Sequence, residues 1–171
     1  MELEKTLRNS RSKRTIEEVI AYVREEPRRI RVLMDCFFSE DERLSRHAAW
    51  AAGNLGFKNP EMFEPYFGRM LDLLEMPVHN GIKRSIVRIL QNASIPETLA
   101  GRTADICFML LNNKDEAIAV QVFSMTVLAN ICKSYTELAP ELRTSIEQQL
   151  SFQSAGFRSR ASRVLKQLDR Y

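Results

Sequence analysis

Shifted by 38 residues, the chain lies upon itself. Leu44, Ile82 and Val120 coincide, as do Ala48, Ile86 and Ser124, then Ala51, Ile89 and Val127, then Leu55, Ala93 and Ile131. Within each set the positions are spaced by 4, 3 and 4 residues, which places them on one face of a helix. That face is mainly apolar and packs inward. Leu33, Leu71 and Met109 keep the same offset in the preceding segments and are expected on the inner face of partner helices. A period in the high thirties built of two helices cannot bury its apolar face in one copy, whereas stacked copies bury it continuously. The expected fold is therefore all-α, a right-handed α-α superhelix of about four helix pairs.

Local signals agree. Six glycines and six prolines in 171 residues are too few for a turn-rich β fold. Thr15 with Glu18 reads as a capping box before a helix over about 16–25, and Pro27 opens the next, through about 38. The acidic run at 39–42 caps a helix over about 41–56, closed by Gly56. Pro60 starts one to about 76, bent at Pro65. Further helices span about 79–93, 96–111, 115–133 (capped by Asp115), 134–152 and 155–169. Loops of two to five residues set consecutive helices antiparallel. Residues 1–14, with Lys5, Arg8, Arg11, Lys13 and Arg14 and little apolar content, read as a basic N-terminal arm or a loose first helix, and 15–171 as a single repeat domain.

Two polar series follow the same period. Asn54, Asn92 and Asn130 are 38 apart, and Arg46, Arg84 and Arg160 fit one register that Val122 interrupts. The arginines suit a structural ladder that bonds neighbouring loops or carboxylates. Stepping back from each asparagine by 4, 3 and 4 gives Trp50, His47 and Arg43 in the first copy, Arg88, Ser85 and Gly81 in the second, and Thr126, Phe123 and Ala119 in the third. These positions form a stripe distinct from the apolar face, and stacked helices would carry it as a mixed polar and aromatic surface. Arg43, His47, Trp50, Asn54, Ser85, Arg88, Asn92, Thr126 and Asn130 are the candidate partner-binding residues. The asparagines have a second reading, since each lies near a helix C-terminus and can tie it to an adjacent loop.

The run AAWAAGNLG at 48–56 resembles the third-helix consensus of armadillo repeats, where a Trp and an Asn four residues later recur. The stretch from Tyr66 to Ser94, ending KRSIVRILQNAS, is similar to one armadillo or HEAT unit. In armadillo proteins that hold extended peptides, that Asn bonds the peptide backbone and the Trp packs along its side chains. The resemblance implies these roles for Asn54, Asn92, Asn130 and Trp50, although Arg88 and Thr126 stand where later tryptophans would. Segments such as SRHAAWAAGNL, VFSMTVLANI and SAGFRSRASRVLKQL also resemble small bacterial helical-repeat proteins of unknown function that often carry the label adenylosuccinate lyase. The lyase's Ser-rich loop and its SSxMPxKxNP-type signature have no counterpart in this sequence.

No enzyme site emerges from the sequence. The two histidines, His47 and His79, form no HxxxH or HExxH pattern, and no phosphate-cradling glycine loop or GxSxG motif occurs. Carboxylates such as Glu17, Glu18, Glu42, Glu61 and Glu97 stand at helix starts, where the dipole favours them. No catalytic residue, metal or cofactor is expected. Cys36, Cys107 and Cys132 are isolated in apolar stretches and read as buried thiols of a reducing compartment. The N-terminus has no apolar signal core, and the longest uncharged run, 117–132, is too short and polar to span a membrane. A cytoplasmic, non-catalytic scaffold for a protein or extended peptide is the expected function. The alternative is a nucleic-acid backbone binder related to HEAT-like alkylpurine DNA glycosylases. Its candidate patches are Arg28, Arg29 and Arg31; Lys83, Arg84 and Arg88; and Arg158, Arg160, Arg163 and Lys166. Basic groups converging on one concave face would favour nucleic acid, and mixed signs around Trp50 a peptide.

Overall fold

The computed structural model describes residues 1–10 and 12–171, which hold ten α-helices and no strand. They divide into two compact units, Met1–Ser94 and Ile95–Tyr171. In the N-terminal unit, α1 (Leu3–Arg8), α2 (Lys13–Glu25), α3 (Ile30–Phe37), α4 (Glu42–Lys58), α5 (Phe67–Leu74) and α6 (Asn80–Leu90) follow one another, with 3-10 turns over Pro27–Arg29 and Pro60–Tyr66. In the C-terminal unit come α7 (Glu97–Asn112), α8 (Ile118–Ile131), α9 (Ala139–Glu147) and α10 (Ala155–Leu168), with one 3-10 turn over Thr136–Leu138.

The periodic apolar positions build the cores. Leu44, Ala48, Ala51 and Leu55 of α4 are buried, as are Ile82, Ile86 and Ile89 of α6 and Val120, Ser124, Val127 and Ile131 of α8; Ala93 is half-buried. Leu33 and Leu71 are buried as expected, but Met109 is 52% exposed. In α7 the neighbours Phe108 and Leu110 face inward instead, so the 38-residue register holds for the second helix of each pair and slips by a residue in this first one. Helix α8 buries residues on nearly every side, from Val120, Gln121 and Ser124 to Leu128 and Ala129, as a helix that is apolar all round must.

Helix ends differ from the sequence expectation in several places: the segment expected as one helix over 60–76 is a 3-10 turn over Pro60–Tyr66 followed by α5, and the α-helix expected over 134–152 is confined to Ala139–Glu147. The cap of α2 is Ser12, whose Oγ accepts the Thr15 N–H at 3.2 Å, so Thr15 lies inside the helix and no box with Glu18 forms. Helix α4 begins as expected, with Asp41 accepting the Leu44 N–H at 3.0 Å, but runs on through Gly56 to Lys58. Gly56 is buried, and a Cβ there would lie 2.7 Å from Ile89 and 2.9 Å from Phe63. It is a packing glycine and not a terminator. Asp115 sits in the loop, its N–H bonded to the Asn113 side chain at 3.0 Å, and Ala117 precedes α8 without a side-chain cap. Finally, residues 3–8 form α1, the helical one of the two alternatives expected for the N-terminal segment, and it is docked and not loose. Leu3 and Leu7, an i, i+4 pair, are buried, and Arg8 pairs with Glu4 at 2.9 Å and with Asp41. Arg11 lies outside the described residues.

In the C-terminal unit a glutamine network links the helices. The Gln149 amide donates to the carbonyls of Leu111 and Ser145, both at 3.0 Å, and the Gln167 amide donates to the Ala129 carbonyl at 2.8 Å. Gln153 donates to the side-chain oxygens of Gln121 and Gln149 at 3.0 Å, while Gln121 donates to the Asn113 carbonyl at 2.7 Å. Gln121 and Gln149 are buried, so these bonds spare the cost of an unsatisfied amide, about 1–3 kcal/mol each.

Two outcomes follow for stability and reactivity. A Cβ on Gly53 would come 2.9 Å from Ser85 Cβ and Oγ and 3.1 Å from the Ser85 Cα, whereas Gly68 and Gly101 have nothing within 4 Å. Gly53→Ala is expected to lower the denaturation midpoint, because overpacking of about 1–3 kcal/mol outweighs the helix gain of about 1 kcal/mol. Gly68→Ala and Gly101→Ala, which carry the helix gain alone, are expected to raise it in the same titration. The thiols of Cys36, Cys107 and Cys132 are all buried, and burial pushes them up, Cys107 to about 12 and the others to about 11. At pH 8 they stay protonated and covered, so a thiol reagent is expected to label all three promptly in denaturant and none promptly in the native protein.

Candidate functional site

The cleft of interest lies wholly in the N-terminal unit, on the surface where α4 meets α6. Its floor follows from the glycine contact just described. Because Gly53 has no side chain, α4 settles against Ser85 of α6, and the neighbouring side chains of both helices splay around the gap. Arg46, His47 and Trp50 come from α4, spaced as one helical face. Gly81, Arg84, Ser85 and Arg88 come from α6, with His79 at its N-terminus. They enclose about 290 Å³.

Each group is held differently. The His47 ring faces the Leu7 carbonyl, with Nδ1 2.8 Å from the oxygen. A carbonyl only accepts, so Nδ1 carries the hydrogen, and His47 satisfies the last turn of α1 while turning Nε2 away. His79 caps α6 by accepting the Gly81 N–H through Nδ1 at 3.0 Å. Trp50 is 41% exposed, a large apolar plate left at the surface. The Arg88 guanidinium stands over the Phe57 ring, 5.1 Å from its centre. Its pKa is lowered, first by burial and then by the charge of Arg84 one turn before it. Arg46 approaches Glu42 at 4.0 Å along its own helix, a loose and largely exposed pair. None of the residues lining the cleft is acidic.

Of the sequence-derived candidates, four meet here: His47, Trp50, Ser85 and Arg88. Ser85 is buried against Gly53 and serves as floor, so its place on the polar stripe does not make it a contact surface. Arg43 is exposed one turn earlier on α4 and does not line the cleft. Asn54 lines a second recess of about 240 Å³ with Lys13, Arg24, Lys58 and Arg88, a mixed surface that also includes Glu17. Asn92 donates its amide to the Phe57 carbonyl at 2.8 Å and so ties the end of α6 to α4, which is the architectural reading of that series. Thr126 and Asn130 belong to α8 of the other unit and take no part in this cleft.

The sequence placed Arg46 and Arg84 in a ladder, and Arg84 also in the basic patch of the nucleic-acid alternative, but neither on the stripe with Trp50. The C-terminal unit shows what the remaining arginine of that series does. There Arg160 donates to the Thr126 hydroxyl, 34 residues before it, and Thr126 in turn donates to the Val122 carbonyl at 3.2 Å. The residues at those two register positions in the N-terminal unit are Arg84 and Trp50. An indole offers no oxygen to accept from Arg84. The substitution of an aromatic for a hydroxyl therefore turns an architectural arginine into one that faces open space beside the plate.

With this geometry in place, comparison with known proteins adds the family. The model for the HEAT repeat domain matches residues 3–168. The chain belongs to the HEAT repeat family. Among solved structures it is similar to the crystal structure of an engineered protein, with a TM-score of 0.67 and 20% identity over 98% of this chain and 78% of that one. At that identity the likeness speaks for the fold alone. A comparison with curated proteins gives no match. No helix among the described residues is long and apolar enough to cross a membrane.

The charge pattern can be read through Trp50, the only tryptophan. With three guanidinium groups and no carboxylate around it, iodide is expected to quench its emission more strongly than caesium at equal ionic strength. Arg84→Gln together with Arg88→Gln should bring the two quenchers together; equal quenching of the wild-type protein would place the positive field elsewhere.

Proposed function

We propose that this HEAT protein is a non-catalytic scaffold that holds an anionic segment of a partner protein on the α4–α6 face of its N-terminal unit. The observation that carries the reading is the convergence of Arg46, Arg84 and Arg88 on the exposed Trp50 with no acidic residue in the lining. Exposed aromatics and arginines are the residue types that dominate binding energy at protein interfaces, and arginine forks match carboxylate and phosphate oxygens in pairs. The face rests on rigid helices joined through Gly53 and Gly56, so little ordering cost is added on binding. The peptide contact is therefore assigned to Trp50 and the arginines, with Asn92 left to its bond with Phe57.

Nucleic-acid backbone binding is the second reading, favoured by the same convergence of arginines. Two features favour a protein partner over it. The chain balances 25 basic against 22 acidic residues, and the acid-free zone is confined to one cleft, whereas a duplex presents a charge about every 1.7 Å along a continuous track.

Affinity capture from a native lysate, with a photo-crosslinking amino acid at position 50, tests the assignment. Crosslinks are expected in acidic or phosphorylated protein segments, unchanged by nuclease and lost in the Arg84→Gln/Arg88→Gln protein, whose helicity should match the wild type. Crosslinks that disappear with nuclease would give the face to nucleic acid, and crosslinks that survive loss of both arginines would remove the electrostatic reading.

A further inference from the structure

We infer that the α4–α6 cleft is a phosphomonoester site, in which Arg46, Arg84 and Arg88 take the phosphoryl oxygens and Trp50 packs against the group that carries the phosphate. The inference rests on the reading of this face as a binding face, and it specifies the ligand chemistry.

Four observations lead to it. First, Arg84 and Arg88 are one turn apart on α6, so two like charges share one face without a carboxylate in the lining. Like charges at this spacing destabilise a helix, and a bound dianion offsets both, where a single carboxylate leaves an excess. Secondly, the guanidiniums come from two helices. Arg46 on α4 stands across the gap from the α6 pair, the disposition that wraps a tetrahedral group and not a planar one. Thirdly, the floor is Gly53 and Ser85, so no side chain from the helix crossing fills the cleft, and its 290 Å³ is roughly ten water volumes, space for a phosphoryl group and part of its carrier. Fourthly, the C-terminal unit serves as an internal control. At the equivalent positions Arg160 is closed onto Thr126, and the exposed aromatic is absent. Only the N-terminal unit combines the arginine with a bare indole.

Titration of the full chain, followed by Trp50 emission, tests the site directly. The probes are inorganic phosphate, phenyl phosphate, a phosphotyrosine peptide and adenosine monophosphate, with acetate at matched ionic strength. Phosphomonoesters are expected to give saturable changes at concentrations about tenfold or more below any acetate response. Arg84→Gln and Arg88→Gln should each weaken binding about tenfold, and Arg43→Gln, on α4 but outside the cleft, should leave it unchanged. Broadening of the phenyl phosphate phosphorus resonance repeats the measurement without relying on the indole. A response that is linear in ionic strength, equal for phosphate and acetate, or equally sensitive to Arg43 would overturn the proposal. The carriers separate the two readings. Tighter binding of the phosphopeptide supports the scaffold as well as the site. Tighter binding of the nucleotide keeps the site and overturns the protein partner.

Discussion

Helices α4 and α6 touch through glycine, and the N-terminal unit is arranged around that contact. Gly53 and Gly56 are three residues apart on α4, and in both places an added Cβ would lie within 3 Å of its neighbours, Ser85 in one case and Ile89 with Phe63 in the other. Around this close approach the apolar residues Ala48, Ala51 and Leu55 of α4 and Ile82, Ile86 and Ile89 of α6 are buried. The cost is borne locally: each glycine gives up roughly 1 kcal/mol of helix propensity relative to alanine, offset by the contacts that near approach allows. The same approach leaves the cleft above it open, so the packing of the pair and the shape of its surface both follow from one missing side chain.

The repeat fixes where side chains fall but not what they do. Position 84 and position 160 carry the same arginine at the same register, yet Arg160 bonds a threonine hydroxyl whereas Arg84 lines an open cleft together with an indole. A similar divergence separates the asparagines. Asn92 is committed to the Phe57 carbonyl, whereas Asn54 lines a recess. In a repeat fold the backbone scaffold is copied and the partner of each residue is supplied by the neighbouring copy, so a substitution in one copy changes the task of a residue in the next.

Much of the architecture was legible from the sequence for this reason. The 4-3-4 apolar spacing named the inner faces of α4, α6 and α8, and an α-helix lies within each of the nine spans that caps, prolines and glycines marked out, though α5 and α9 are shorter than expected. What it misread was short-range. Gly56 looked like a stop signal because a glycine after an apolar run commonly is one, and only the proximity of Ile89 and Phe63 shows it to be interior. Leu3 and Leu7 were hidden among charges, since two apolar residues make no period, though burial of both suffices to dock a short helix. For the site, spacing found His47, Trp50, Ser85 and Arg88 but could not tell a wall from a floor. It read Arg46 and Arg84 first as a ladder; that Arg84 of α6 lines one cleft with Trp50 of α4 depends on the packing of two helices, which spacing along one helix does not give.

The glutamine bonds of the C-terminal unit carry one more implication. Gln149 reaches Leu111 and Gln167 reaches Ala129, each over 38 residues, so the amide of one helix measures off the carbonyl of another at a fixed count along the chain. An extra residue within α9 or α10 would rotate the glutamines after it by about 100° around the helix axis and strand them. The segment between α9 and α10, which holds Gln149 and Gln153, is bound by the same count, so this connection is as fixed in length as the helices beside it.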